Sequence, residues 1–218
     1  MNYQFDWTAV LQPSVWSGAI GITMTYAVGT IIVGMLLGTI CGLLLLSPRG
    51  WVRYPVGAYV QIFRCTPLLV QIIWFYYALP IISGLRIPAW LAAGLGLALY
   101  MGAFCSEIFR AGVISIDKGQ WNAARALGMS RLQMMQRIIL PQAMRRMVPP
   151  FVNQSVLQLK NTSLLYVVAV PDIMYSSYQI TAQTFRPLEV YTFAAVLYFV
   201  ILFPLTVFSK RLEARVDK

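Results

Sequence analysis

The sequence contains no histidine, and this absence excludes several kinds of chemistry. Without an imidazole, the chain can form neither a Ser-His-Asp triad, nor a histidine proton relay, nor a zinc site of the metalloprotease type. The G-x-x-x-x-G-K-[ST] loop that cradles nucleotide phosphates is also absent, so we expect no ATP to bind by that route. We therefore expect that the chain is not an enzyme and binds no cofactor of its own.

Cysteine and acidic residues are scarce. Cys41, Cys65 and Cys105 lie far apart without the spacing of metal ligands, so we expect three reduced thiols and no metal site. Seven acidic residues stand against 17 Lys and Arg, which gives a formal net charge of +10. The basic residues lie in short loops between apolar runs, so the charge indicates membrane topology and not binding to nucleic acid. We expect no cleaved signal peptide, since no basic segment precedes an apolar one at the N-terminus.

What the chain has in abundance is apolar sequence. Of its 218 residues 59% are hydrophobic and 11% charged, and the mean hydropathy is +0.68, which is typical of an integral membrane protein. We expect one all-α transmembrane domain over residues 1–218 with five spans. The spans are predicted at about 18–46, 55–82, 90–113, 148–170 and 190–209.

Basic residues are strongly biased to one set of loops. This set carries Arg49, Arg53, Arg110, Lys118, Arg125, Arg131, Arg137, Arg145, Arg146, Lys210, Arg211, Arg215 and Lys218. The other set carries Arg86 and Arg186. Because basic loops remain on the cytoplasmic side, the bias predicts an outer N-terminus and an inner C-terminus.

The first span carries a stripe of small residues. Gly34, Gly38 and Gly42 are four residues apart and lie on one helix face, where another helix can approach closely. That helix can belong to the same chain, which we favour, or to a second subunit.

The fourth span is unusually polar for a membrane helix. Its candidate path-lining residues are Asn153, Gln154, Gln158, Lys160, Asn161 and Thr162. Polar groups inside a membrane need protein or water around them, so this helix should be central. Lys160 can pair with Glu107 of the third span, or it can meet a transient anion such as a substrate carboxylate. The amides can line a path or join helices.

A polar loop, residues 117–141, separates the third and fourth spans. Residues 122–127 favour a helix, Gly128 suits a left-handed position after it, and Ser130 with Gln133 has the spacing of a capping box. The loop therefore reads as helix, hinge and second helix.

This loop resembles the "EAA" loop of ABC-importer permeases. Ala123 and Ala124, Gly128, and Ile138-x-Leu140-Pro141 are in register with the family pattern, while Asn122 stands where the family usually has Glu. FRCTP at 63–67, SEIFRAG at 106–112 and KNTSLL at 160–165 also resemble the branch that carries polar amino acids.

The resemblance implies a type I ABC-importer permease fold in a bacterial inner membrane. It also implies that the loop couples to a separate dimeric ATPase, which would hold ATP and Mg²⁺. The coupling residues would be Trp121, Asn122, Ala123, Ala124, Leu127, Gly128 and Met129.

Further partners implied are a second permease, identical or homologous, and an external solute-binding protein, with lipid around the spans. Lys160 favours glutamate, aspartate or their amides as substrates. The alternative from the residues is an ion-coupled secondary amino-acid transporter.

Overall fold

The computed structural model describes residues 3–216, and all regular elements in that range are helical. The ends of the expected domain 1–218, including Lys218, lie outside the described residues. The α-helices are α1 (Pro13–Leu45), α2 (Gly50–Cys65), α3 (Leu68–Ile73), α4 (Leu79–Ser83), α5 (Ala89–Ile114), α6 (Lys118–Ala126), α7 (Arg131–Met134), α8 (Leu140–Asn161), α9 (Ile173–Thr184) and α10 (Pro187–Val216). Single π-turns, Trp74–Ala78 and Met135–Ile139, join α3 to α4 and α7 to α8.

Among the described helices, α1 and α5 have the most extensive contact with each other. The glycine stripe lies against α5, where a Cβ at Gly38 would meet the Cβ of Cys105 at 2.3 Å and the carbonyl oxygen of Gly102 at 2.9 Å. Gly34 faces Met101, so positions advance in the same direction on both helices. The stripe therefore packs within the subunit, as favoured from the sequence, and α1 and α5 run parallel.

The segment expected as the second span, 55–82, is not one continuous helix. α2 ends at Cys65, Thr66 is extended (φ −109°, ψ 141°), and the continuation 68–83 is bent from α2 by 109°. Pro67 causes the break, because proline disfavours a helical conformation in the residue before it. The buried side chain of Gln71 holds the bend by donating to the carbonyl oxygens of Phe63 (2.9 Å) and Thr66 (3.0 Å).

The expected fourth span also differs at its start. The span is expected from about residue 148, whereas α8 begins at Leu140 and continues through Pro149 and Pro150. After Asn161 the chain tightens into a 3₁₀ turn, Thr162–Val168. A Cβ at Gly112 would meet the side chain of Met147, while Gln158 reaches Leu97, so α8 is antiparallel to α5.

The last helix, α10, returns along α8. Asn153 of α8 contacts Ser209 of α10, and the start of α10 packs beside the start of α1, where Trp16 lies 5.0 Å from Phe193 between ring centroids. Thus α1, α5 and α10 share one direction and α8 opposes them. Within residues 3–216, three helices are long and apolar enough to cross a membrane, with a fourth crossing if α2 to α4 count as one bent span.

Candidate transport path and coupling surface

The loop expected to couple to an ATPase folds as two short helices, α6 and α7, joined by a turn at Gly128. We call this helix–turn–helix the corner. Asp117 caps α6 by accepting a hydrogen bond from the Gly119 amide, at 2.6 Å. After α6, Gly128 adopts φ +71°. The capping box predicted at the start of α7 is confirmed: Ser130 Oγ accepts from the Gln133 amide at 3.3 Å, and Gln133 Oε1 accepts from the Ser130 amide at 2.9 Å.

The predicted coupling residues divide into anchors and exposed groups. Ala124 is fully buried, and Trp121 and Met129 pack against the cluster that contains Phe109, Val113 and Met147. These residues fix α6 to the ends of α5 and α8. Asn122, Ala123, Leu127 and Gly128 instead face outward, with Leu127 78% exposed.

A second protruding apolar side chain in the corner was missed from the sequence. Leu132, Met135 and Ile139 recur at helical spacing, yet Leu132 is 65% exposed while Ile139 is fully buried. Periodicity alone could not separate them, because α7 has only four residues before its π-turn. The outward surface of the corner is therefore built on Leu127 and Leu132.

Two of the predicted path residues on α8 join helices. Gln158 is fully buried, and its Nε2 donates to Thr30 Oγ1 at 3.0 Å and to the Leu97 carbonyl oxygen at 2.9 Å. The side chain of Asn153 accepts from Ser209 Oγ at 2.6 Å and donates to Glu213, both on α10. Thr162, just after α8, is buried and donates locally to the Leu159 carbonyl oxygen at 2.7 Å. The contacts of Gln158 and Asn153 hold α8 against α1, α5 and α10.

Lys160 has a different environment. Its side chain is exposed, and within the described part of the chain it makes no ion pair or hydrogen bond. Glu107, its possible partner, instead pairs with Arg110 one turn along α5, where Arg110 Nε donates to Glu107 Oε2 at 3.0 Å. The pairing of Glu107 and Lys160 considered from the sequence is therefore absent from residues 3–216.

One face of α8 remains open along most of its length. Arg146, Pro150, Asn153, Leu157 and Lys160 are all exposed and recur at intervals of three or four residues. The part of this face from Arg146 to Leu157 forms a groove of about 590 Å³ with Ile108 of α5 and Glu213 of α10.

Two predicted amides lack partners near this face. Gln154 Nε2 and Asn161 Nδ2 are buried and make no hydrogen bond to any described residue. Gln154 also lines the groove. Buried amide groups without partners are costly in a folded protein, so they mark places where a ligand or water can bind.

The opposite end of the bundle holds two buried acids that the sequence did not single out. Glu189 accepts from the Tyr3 hydroxyl and from the Asp6 amide (2.9 Å), and it lies 3.7 Å from Arg186. Asp172 accepts from the Tyr175 amide at 2.8 Å and so caps α9, while its Oδ2 has no partner among the described residues. Burial raises the pKa of Asp172 to about 6.

A bundle of apolar helices with one polar helix, and an exposed basic loop between two of its long helices, is typical of a membrane transport component. Residues 34–218 match the family described as "Binding-protein-dependent transport system inner membrane component". The chain belongs to this family. It is therefore an inner-membrane component of a transport system, without ATPase activity of its own.

The relatives cover nearly the whole chain. The chain is 37% identical over 217 residues to the glutamine transport system permease protein GlnP of Escherichia coli (strain K12), covering 97% of this chain and 98% of the relative. It is 35% identical over 218 residues to the arginine transport system permease protein ArtQ of Bacillus subtilis (strain 168), covering 99% and 98%. A solved amino acid ABC transporter crystallised with histidines superposes with a TM-score of 0.91 at 28% identity, covering 98% of this chain and all of that chain.

Proposed function

We propose that the chain forms half of the translocation path of an ATP-driven importer of polar amino acids. The relatives named above, from glutamine and arginine systems, support the amino-acid class. The second half would come from another permease, identical or homologous, and an external solute-binding protein would deliver the substrate. ATP and Mg²⁺ would be held by a dimeric ATPase on the inner side.

Five membrane crossings are the topology we propose, with the N-terminus outside and the C-terminus inside. The parallel directions of α1 and α5 support this topology, since the segment between them, α2 to α4, would return across the membrane as one bent crossing. α8 opposes α5, and α10 is parallel to α1. Arg145, Arg146 and Lys160 make α8 too polar to face lipid on every side, which fits a helix that borders a path.

The observation that carries the substrate proposal is the unpartnered Lys160 on the open face of α8. Lys160 lies within the proposed fourth span, and a cation inside a membrane without a fixed counter-ion is costly unless water or an anion reaches it. A carboxylate of the passing amino acid would be such an anion. Glutamate, aspartate and their amides fit best, since no acidic residue of α8 offers a partner to a cationic side chain.

Coupling would occur at the corner formed by α6 and α7. The exposed side chains of Leu127 and Leu132 would enter an apolar recess of the ATPase, while the surrounding arginines would steer the encounter. Trp121 and Met129 tie the corner to α5 and α8, so a displacement of the corner would pass to the path-lining helix.

The test is uptake by the complete complex in liposomes, with binding protein and ATP. Lys160→Met should lower the rate of glutamate or glutamine uptake about tenfold, since a charged hydrogen bond to the substrate is lost, while assembly with the ATPase is retained. Lys210→Met, which removes an exposed lysine near the end of α10, is the matched control. Uptake without ATP, driven by an ion gradient, would refute the importer proposal. Normal uptake by Lys160→Met would refute the role of Lys160.

A further inference from the structure

A cavity of about 480 Å³ lies between the corner and the end of α1. Leu43 of α1 and Val113 of α5 belong to its apolar lining, and Trp121, Arg125 and Arg131 of the corner line it as well. Because α1 and α5 both end beside it, the cavity lies at the inner surface of the membrane in the proposed topology. A group bound there would be at the level of the lipid headgroups.

The two arginines of this cavity have no fixed counter-ion. Both are exposed, and in the described part of the chain neither forms an ion pair. Between residues 115 and 146 Asp117 is the one acid, against six basic residues, and its side chain caps α6 through the Gly119 amide. Two guanidinium groups are therefore available to an external anion, and phosphate matches their paired N–H donors.

The cavity is separate from the surface that we assign to the ATPase. Leu127 and Leu132, the outward side chains of the corner, do not line it. Trp121 and Arg125 are four residues apart, so α6 presents both on the face that does. A tryptophan beside arginines is typical of the membrane–water interface, where the ring contacts apolar chains and the cations contact headgroups.

An exposed apolar stripe continues from the cavity along α1. Its members are each between 48% and 62% exposed and recur at intervals of three or four residues: Val28, Ile32, Leu36, Ile40 and Leu43. From Val28 to Leu43 the helix rises about 22 Å, and one leaflet of the hydrocarbon core is about 15 Å thick. The stripe is therefore long enough to contact a whole acyl chain that begins at the cavity.

We propose that this cavity binds an anionic phospholipid, with the phosphate on Arg125 and Arg131 and an acyl chain along the stripe of α1. Basic pockets at the inner ends of membrane helices have the chemistry that anionic headgroups require. The bound lipid bridges α1 and the corner, so it stabilises the position of the corner against the bundle. This inference goes beyond the proposed function and does not depend on which solute is transported.

The test is direct measurement of lipid binding by the purified complex. The chain is isolated with its partner subunits in mild detergent, delipidated and titrated with phosphatidylglycerol, and native mass spectrometry resolves the lipid-bound species. Two probes each lack one part of the ligand. Phosphatidylcholine with the same chains has no net negative charge, and glycerol 3-phosphate has the phosphate without chains. Phosphatidylglycerol should bind at least about tenfold more tightly than either probe.

The variants locate the site. Arg125→Gln and Arg131→Gln should each weaken binding of phosphatidylglycerol about tenfold and leave binding of phosphatidylcholine unchanged, since each removes a charge-assisted contact with the phosphate. Arg131→Lys keeps the charge but loses the paired donors, so its affinity should lie between those of the wild type and Arg131→Gln. Arg137→Gln removes an exposed charge of the same loop outside the cavity, and this matched control should bind as wild type.

The outcomes separate the lipid from other occupants and from the proposed function. If phosphatidylcholine binds as tightly as phosphatidylglycerol, or Arg125→Gln and Arg131→Gln match Arg137→Gln, the lipid site is refuted. Equal binding of glycerol 3-phosphate would assign the arginines to a soluble phosphate and overturn it too. So would Arg variants that retain phosphatidylglycerol but lose the ATPase in the same spectra, because the arginines would then serve the ATPase. If the lipid binds as expected but the wild type transports no amino acid with ATP, only the proposed function fails.

Discussion

Adding one methyl group at Gly38 should force α1 and α5 apart. The new Cβ would lie 2.3 Å from the Cβ of Cys105 and 2.9 Å from both the Gly102 carbonyl oxygen and the Ser106 amide nitrogen. Two of these three neighbours are backbone atoms, which a side-chain rotation cannot move away. Overpacking of this kind costs about 1–3 kcal/mol, whereas Gly→Ala in a helix gains about 0.5–1 kcal/mol in backbone entropy.

The matched control is Gly29→Ala on the same helix, where a new Cβ meets no atom within 4 Å. This variant receives the entropy gain without the clash. The two substitutions should therefore change stability in opposite directions. For a protein of this length, 1 kcal/mol corresponds to about 2–4 °C in Tm, so thermal unfolding in detergent should separate the two variants by about 5 °C.

A third variant tests which atoms resist the methyl group. Cys105→Gly in the Gly38→Ala background removes the 2.3 Å contact but leaves the backbone contacts with Gly102 and Ser106. Because Cys105→Gly has its own cost as a glycine in a helix, the baseline is Cys105→Gly alone. Adding Gly38→Ala to it should lower Tm by less than adding Gly38→Ala to the wild type. If Gly38→Ala is as stable as Gly29→Ala, the close approach of α1 and α5 within one subunit is refuted.

Three further predictions concern the coupling corner, the buried acid and the topology. Gly128 has φ +71° and open space around it, so its backbone conformation requires glycine. Gly128→Val should lower ATP-driven uptake about tenfold and Gly128→Asn much less, because Asn tolerates left-handed backbone. Equal uptake by the two variants would contradict this. Burial raises the pKa of Asp172 from 3.8 to about 6, so its carboxyl binds a proton more tightly in the folded chain than in the unfolded chain. The free energy of unfolding therefore falls as pH rises from about 4 to about 6. Above pH 6 the full loss, about 3 kcal/mol, is present. Asp172→Asn should therefore raise Tm at pH 7.5 and lose this advantage near pH 4, and an equal gain at both pH values would contradict the assignment. In a cysteine-free background, a membrane-impermeant maleimide applied to intact cells should label Arg86→Cys and not Arg49→Cys, and the reverse result would invert the proposed orientation.

Local patterns were the ones that the sequence predicted well. The capping box of Ser130 and Gln133 depends on residues three apart, so the spacing alone specified its two hydrogen bonds. The stripe of Gly34, Gly38 and Gly42 predicted a close helix contact because small residues at that spacing serve few other purposes in a membrane helix. Neither feature needed knowledge of the partner helix.

The breaks in the helices were predicted poorly. Pro67 lies inside the second apolar run, but apolarity does not report direction, so the expected span 55–82 does not show the bend of 109°. The expected start of the fourth span at about 148 likewise does not show that α8 begins at Leu140 and passes through Pro149 and Pro150. Proline limits a helix only where the surroundings do not compensate its missing N–H groups, and those surroundings are tertiary.

Contacts between residues distant in the sequence could not be predicted either, because they too depend on tertiary packing. Glu189 looked like a loop residue at the start of the last span, yet it is fully buried because Tyr3 and the Asp6 amide reach it from the other end of the chain. The open groove between Arg146 and Glu213 likewise depends on how α8 and α10 cross. A single sequence specifies each helix but not which residues of two helices meet.

The contact of the N-terminal segment with Glu189 has a consequence for biogenesis. Tyr3 and Asp6 precede α1, whereas Glu189 belongs to α10, so the contact cannot form until α10 is inserted. Until then, the Tyr3 hydroxyl and the Asp6 amide lack this partner. The joint therefore closes only after the helices between these two segments have been made, which makes it a late step in assembly.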